Sequence, residues 1–340
     1  MSTVLDITLL ILGIAILYWG AEWLIRGSAG LARAMGVKPL VIGLTVVAYG
    51  TSAPELAVAT KTALAHSQPI ALGTVIGSCA ANISLILGLT ALINPPTVDS
   101  RIIRREVPVL VGSAIAVPLL LRDGVLSRLE GALLVVCAVI FTIVTLSVSA
   151  RLELDIEDED DLEPAGASAS MTRAQTAEES GVAIGGKARP KASHFASIIM
   201  SSLGLALLLA GSYLFVRGGR GIASEAGMSE RMLGLTIISI GCALPELIGS
   251  LVAASRGQSA LAIGSVIGSN LLNVFLVLGV TAYLSPIHLG ERMHVVDLVG
   301  LVVITLLGVL TLRGSRKITR LEGALLVLAY VAFIVCAILL

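Results

Sequence analysis

Apolar runs of about 18 residues or more follow one another along most of this chain, and each can cross a hydrocarbon core of roughly 30 Å as a helix. Backbone in lipid must satisfy its own hydrogen bonds, so a chain of this kind is restricted to a bundle of transmembrane helices. The composition, 56% hydrophobic and 14% charged over 340 residues, excludes an ordinary soluble domain. The formal net charge is zero, and nothing in the charge pattern is directed at nucleic acid. The opening stretch MSTVLDITLLILGIAILYWGAEWLIRG lacks a basic leader and a small-residue cleavage site. It therefore reads as a first span. The expected surroundings are the lipid bilayer of the cell (inner or plasma) membrane, crossed many times.

Spans are expected near 3–25, 38–62, 69–94, 105–121 and 127–149, then near 196–219, 231–255, 260–285, 295–312 and 321–340. Between the two groups lies 150–195, rich in Ala, Ser, Gly and acids and without apolar periodicity, which is expected to be a flexible linker. The two groups are copies. With an offset of 191, VIGLTVVAYGTSAPEL (41–56) lies over MLGLTIISIGCALPEL (232–247) with 7 identities in 16. GTVIGSCAANISLILG (73–88) lies over GSVIGSNLLNVFLVLG (264–279) with 9 in 16, and RLEGALLV recurs at 128–135 and 320–327. An odd number of spans per copy turns the second upside down relative to the first. The expected fold is all-α, ten transmembrane helices as two inverted five-helix repeats, 1–149 and 196–340, joined by 150–195. In such repeats the binding site lies at the repeat interface near the midplane.

Basic residues orient the chain. With the N-terminus outside, inward segments hold sixteen Lys and Arg and outward segments seven. The positive-inside rule thus puts both termini outside and the linker in the cytoplasm.

Each copy carries a Pro–Glu pair deep in an apolar stretch: Pro54–Glu55 in GTSAPEL and Pro245–Glu246 in GCALPEL. Proline has no amide hydrogen and clashes with the preceding turn, and Gly50 and Gly241 stand four residues earlier, so a broken helix is expected at both places. Thr51 and Glu55 are four apart and share a face, as do Ser78 and Asn82, and Ser269 and Asn273. Each copy thus offers a carboxylate on one helix and a hydroxyl with an amide on the next. Every donor is oxygen-type, which suits hard cations such as calcium and sodium. Two neighbouring carboxylates in low dielectric cannot both stay charged alone. A divalent ion, two monovalent ions or two protons would neutralise them, and a carrier that crosses readily only when loaded is an antiporter.

Other features point to structure. Gly73, Gly77, Gly264 and Gly268 suit close helix packing. Cys79, Cys137, Cys242 and Cys336 are far apart, without metal-type or disulfide spacing. The eight acids from Glu153 to Glu163 read as a solvated tether, and they lack the glycine and glutamate positions of an EF-hand. Glu22 and Arg26 form an i,i+4 pair, and Tyr18, Trp19 and Trp23 suit an interface belt.

At GTSAPEL with GTVIGSCAANI, and GCALPEL with GSVIGSNLLNV, the chain resembles the calcium/cation antiporter superfamily, specifically the prokaryotic sodium/calcium exchanger-like proteins. The resemblance covers both halves and not the linker. It implies ten helices, with the second, third, seventh and eighth forming the site. It implies that Glu55 and Glu246 share calcium, joined by backbone oxygens of Thr51 and Cys242. Ser78 and Ser269 would serve flanking sodium sites, with Ser52 beside one and the carbonyls of Ala48 and Ser239 contributing. Asn82 and Asn273 would sit beside the centre. The chain departs from the family where Cys242–Ala243 replaces two hydroxyl residues and where Cys79 replaces an Asn, which weakens the expectation of sodium coupling more than that of calcium binding.

The reading is a secondary active antiporter exporting calcium against sodium by alternating access, with no cofactor and no enzymatic activity. A proton-coupled exchanger of calcium or another cation is the alternative. An intramembrane hydrolase with a carboxylate dyad fits less well, because each acid follows a proline within a symmetric oxygen-rich set. A passive channel would be told apart by conductance far above carrier rates.

Overall fold

A computed structural model describes residues 3–35, 39–98, 100–160, 194–225, 232, 234–289, 295–314 and 317–339. The described residues hold ten long helical stretches. In the first half these are α1 (Thr3–Met35), α2 (Leu40–Leu64), α3 (Gln68–Ile93), α4 (Ser100–Leu120) and α5 (Arg128–Asp160). The second half has α6 (His194–Glu225), α7 (Leu235–Ser255), α8 (Ser259–Leu284), α9 (Val295–Gly314) and α10 (Arg320–Leu339). Eight are long and apolar enough to cross a membrane, and α9 contains the shorter apolar stretch Val296–Leu312. The remaining one, α4, opens on Arg101, Arg104, Arg105 and Glu106 and contains Pro108 and Pro118. Two ends differ from expectation. α1 continues past Arg26 to Met35, because Ser28, Ala29 and Ala32 are buried there and Gly27 and Gly30 pack on α6. α5 runs beyond residue 149 to Asp160, through Leu- and Glu-containing sequence of good helix propensity. The remaining linker residues, 161–193, lie outside the described residues.

The bundle has an inner and an outer layer. The apolar windows of α3 and α8 are 94% buried, against 28% for α1, α5, α6 and α10, so α3 and α8 are sheathed by protein while the others present apolar faces outward. Leu133, Val136, Ile140 and Ile143 on α5 are exposed in this way, as expected where the solvent is lipid.

Contacts repeat across the halves. Asn94 Nδ2 donates to the Ala254 carbonyl at 2.7 Å, and Ser285 Oγ to the Ala63 carbonyl at 3.3 Å. The offset of 191 converts one contact into the other. The first lies where α3 and α7 end, and the second where α2 and α8 end. Because α2 and α3 are consecutive helices joined by a tight turn, these are opposite ends of the bundle. The operation relating the halves therefore inverts them. The short strands agree: β1 (Val125–Leu126) pairs antiparallel with β2 (Ile287–His288), while Thr97 bridges Lys317. Ser127 with Glu130, and Thr319 with Glu322, form two capping boxes that start α5 and α10 alike.

Glycines set the closest approach. On α1, Gly13, Gly20 and Gly27 recur every seven residues, as do Gly204, Gly211 and Gly218 on α6. A Cβ on Gly13 would lie 2.8 Å from the Gly211 carbonyl oxygen, and one on Gly20 2.9 Å from that of Gly204. The two helices thus meet backbone to backbone along an antiparallel seam.

The turns after α2 and α7 are also paired. Ser67 N–H donates to the Thr62 carbonyl at 2.9 Å, and Gln258 N–H to that of Ala253 at 2.8 Å. These six-to-one bonds need a left-handed residue just before the donor. The second turn uses Gly257 (φ 71°), and the first uses His66 (φ 61°). His66→Gly should stabilise the protein by about 1 kcal/mol, measured as a raised thermal midpoint in detergent, whereas Gly257→His should lower it.

Candidate ion-binding site

α2, α3, α7 and α8 cross at the centre. Each carries one π-helical stretch, Gly43–Val47, Ala81–Ile86, Gly234–Ile238 and Asn273–Leu278. Such wide turns loosen the backbone ladder and recur at functional sites. At the crossing a Cβ on Gly77 would come within 2.6 Å of Ser239, and one on Gly268 within 2.8 Å of Ala48. Ala48 and Ser239 are equivalent positions, so one close crossing is made twice.

Glu55 and Glu246 project into this crossing. Both are 0% exposed, and neither carboxylate oxygen of either residue has a hydrogen-bond partner. Their charges lie close enough to interact. The Ser78 side chain faces Glu55, and Thr51 and Ser269 face Glu246, without forming a well-shaped hydrogen bond to the carboxylates. Asn82 and Asn273 are 0% exposed with both amide atoms unpartnered, and the buried Ser52 hydroxyl is likewise unpartnered. Buried polar atoms are ordinarily satisfied, and each orphan is costly. Four of the orphaned side chains are two equivalent pairs, Glu55 with Asn82 and Glu246 with Asn273, and Ser52 has no counterpart in the second half.

The hydroxyls stitch the halves together. Ser78 Oγ donates to the Ser239 carbonyl at 3.3 Å, and Thr51 Oγ1 and Ser269 Oγ are 3.3 Å apart. Thr51 also donates to the Val47 carbonyl at 3.0 Å and lies 3.4 Å from that of Ala48. Cys242 is fully buried on α7, packed with Ile70, Val216 and Ile238. Cys79, beside Glu55, reaches the carbonyl of its own equivalent, Asn270, at 3.9 Å, so the pseudo-two-fold axis passes near this pair. All eleven residues singled out in the sequence therefore lie on the four crossing helices. Among the described residues no third His, Cys, Asp or Glu joins the two acids in a metal-type cluster. Further donors to a cation here are hydroxyls, amides and carbonyls, the set that hard cations take.

The expected helix breaks are found only in part. α2 is interrupted at Ser52 (φ −78°, ψ 2°), but α7 is α-helical from Ser239 to Ser255 straight through Pro245. The cause is Ser212 of α6, which donates at 2.7 Å to the Gly241 carbonyl, the acceptor that Pro245 leaves without its amide. The equivalent of Ser212 on α1 is Ala21, which has no hydroxyl. Ser212→Ala should cost about 1–3 kcal/mol by orphaning that buried carbonyl, read as a lowered melting temperature, whereas Ala21→Gly should not touch the α7 carbonyl.

The motif blocks did not reveal Ser212, whose signal is positional, a hydroxyl on the helix that covers Gly241. Nor did they reveal Arg256, which joins Arg26 on the buried Glu22 and ties α1 to the end of α7.

A family model described as sodium/calcium exchanger protein matches residues 5–147 and 196–339. The chain belongs to this family of transporters. A candidate antiporter, CaxA of Alkalimonas amylolytica, is 35% identical over 95% of both chains. Inner membrane protein YrbG of Escherichia coli is 31% identical, over 96% of this chain and 94% of the other. The solved sodium-calcium exchanger NCX_Mj superposes with a TM-score of 0.76 at 30% identity, covering 97% of this chain and 98% of that one. The two matched segments coincide with the two similar halves of the sequence, and the candidate site residues come from both.

Proposed function

We propose that this family member exchanges sodium for calcium, exporting calcium, with Glu55 and Glu246 as the shared calcium carboxylates. Backbone oxygens of Thr51 and Cys242 complete the centre. Ser78, Ser269, Ser52 and the carbonyls of Ala48 and Ser239 form flanking sodium sites, with Asn82 and Asn273 alongside. The protein crosses the membrane ten times, with both termini outside and residues 150–195 cytoplasmic. The observation that carries this reading is the pair of fully buried, unpartnered carboxylates at equivalent positions of inverted repeats. A mobile cation satisfies such oxygens, and their joint negative charge keeps an unloaded carrier from crossing.

The α1/α6 pair moves as one body, because its glycine seam locks backbone to backbone. It touches the core through Leu205 on Gly50, Ser212 on Gly241 and Glu22 on Arg256, contacts that remake as access alternates. Any net charge moved per cycle couples to the membrane potential at about 2.3 kcal/mol per charge per 100 mV.

The second reading is proton coupling, favoured by the loss of two hydroxyls at Cys242 and Ala243. Inverted vesicles separate the two. An imposed sodium gradient drives calcium uptake on the first reading. Uptake driven by a pH gradient in sodium-free buffer, with none from sodium, overturns it in favour of the second.

A further inference from the structure

The backbone of α2 is loosened on both sides of a single turn. The π-helical stretch Gly43–Val47 ends just before Ala48, and the interruption at Ser52 comes just after Thr51. Between them stand the four α-helical residues Ala48–Thr51. The equivalent turn on α7, from Ser239 to Cys242, also follows a π-helical stretch but continues unbroken to Ser255. A turn set between a wide turn and a break is not held in place by a continuous ladder of its own, so neighbouring helices must place it.

Each of the four residues meets a neighbour. Ala48 packs at Gly268 of α8 and Gly50 at Leu205 of α6. Thr51 Oγ1 lies 3.3 Å from Ser269 Oγ, and both of these hydroxyls border the acids, so they can reorganise with an occupant. Tyr49, half-buried, turns away from the acids to the outer helix α5, where its hydroxyl lies 2.6 Å from Thr142 Oγ1. Thr142 commits its own proton to the Ala138 carbonyl at 2.8 Å. Tyr49 is therefore the donor, and the chain of bonds ends on the α5 backbone. The second half has no such tie. Tyr49 is matched by Ile240, and Thr142 by Ile334 at the offset of 192 that aligns the two RLEGALLV blocks. Both isoleucines pack on the main hydrophobic core. The polar tie is present where the helix is interrupted and absent where it is continuous.

We propose that Tyr49 and Thr142 are positioning residues for the ion site. Their hydrogen bond pins the Ala48–Thr51 turn to α5 and so holds the Ala48 carbonyl and the Thr51 backbone oxygen where a cation needs them. Neither side chain touches the ion. A loose turn must be ordered when the ion binds, and that ordering subtracts from affinity; a turn already pinned avoids the loss. This inference rests on the exchanger reading above and deepens it, placing part of the ion affinity on a helix outside the four that carry the motifs.

The test is calorimetric titration of the purified full-length protein with calcium chloride, beside thermal unfolding in chelator, using wild type, Tyr49→Phe, Thr142→Val, the double variant, Thr142→Ser and Glu55→Gln. Tyr49→Phe and Thr142→Val should each weaken calcium binding by about fivefold, the effect of losing one hydrogen bond. The double variant should be no weaker than either single one, because both remove the same bond, and Thr142→Ser should keep wild-type affinity. Tyr49→Ile with Thr142→Ile, which copies the apolar residues of the second half, takes the place of Tyr49→Phe if that variant does not fold, with the same weakening expected. Calcium affinity unchanged in Tyr49→Phe and Thr142→Val, with only the melting temperature lowered, is the signature of a structural role and overturns the inference while leaving the exchanger reading intact. Losses that add in the double variant overturn it as well. Calcium bound by Glu55→Gln as tightly as by wild type, or not bound by wild type at all, overturns the site reading and this inference together.

Discussion

Glu55→Gln and Glu246→Gln are each expected to reduce calcium affinity by on the order of 100-fold or more and to stop sodium-driven calcium uptake. Glutamine keeps the shape of the side chain and removes one negative charge. Calcium sites are graded by ligand charge, and among the described residues two carboxylates, without a third acid, meet here. Truncating one partner of a desolvated charge pair costs about 2–5 kcal/mol, where each 1.4 kcal/mol is a factor of ten. The same substitutions should raise the melting temperature of the ion-free protein. Both acids are 0% exposed and their oxygens are unpartnered, so the ion-free wild type bears a desolvation cost that a neutral amide reduces. Opposite signs, stabilised without calcium and no longer stabilised by it, mark a binding site; a structural acid would lower stability in both conditions. The check is thermal unfolding in detergent with chelator and with calcium, beside isotopic calcium uptake into vesicles.

Gly77→Val and Gly268→Val should be nearly as damaging, and damaging to a similar degree. An added Cβ at residue 77 would come within 2.6 Å of Ser239 and 2.8 Å of the Leu235 carbonyl oxygen. At residue 268 it would lie 2.8 Å from Ala48 Cβ and from the Leu44 carbonyl oxygen. Backbone cannot retreat as a flexible side chain can, so the crossing helices must separate. Overpacking of this kind costs about 1–3 kcal/mol or more. It also displaces the Ser239 and Ala48 carbonyls, so ion affinity falls along with stability. Gly112→Ala is the control. It sits in α4 with nothing within 4 Å of its added Cβ, and should gain about 0.5–1 kcal/mol from helix propensity. Parallel losses for residues 77 and 268 in thermal unfolding and calcium titration support the symmetric crossing; a loss at one alone would break it.

The four crossing helices announce themselves in the sequence because duplication doubles every signal. Glu55 is buried among hydrocarbon beside a proline, and Glu246 repeats it at the same spacing. A single occurrence would have left helix, turn and site open. The inversion likewise follows from an odd number of spans per copy. Features that depend on one side chain meeting another helix were not readable. Ser212 cancels the break expected at Pro245, and Arg256 reaches across to Glu22 on α1. Neither has a local pattern, because partner and acceptor lie far apart in the chain. The π-helical stretches are also silent in sequence, since Gly43–Val47 and Asn273–Leu278 share no residue pattern that ordinary helix lacks. The α1/α6 seam was present as glycines every seven residues. It is recognisable as a seam only once two distant helices are known to be antiparallel neighbours.

The most direct measurement is anomalous diffraction from crystals of this protein soaked in calcium or its heavier analogue strontium. One principal peak is expected in the crossing of α2, α3, α7 and α8, within about 2.3–2.6 Å of carboxylate oxygens from both Glu55 and Glu246. A peak touching only one of the two acids, or lying outside the crossing while calcium still binds in solution, would contradict it.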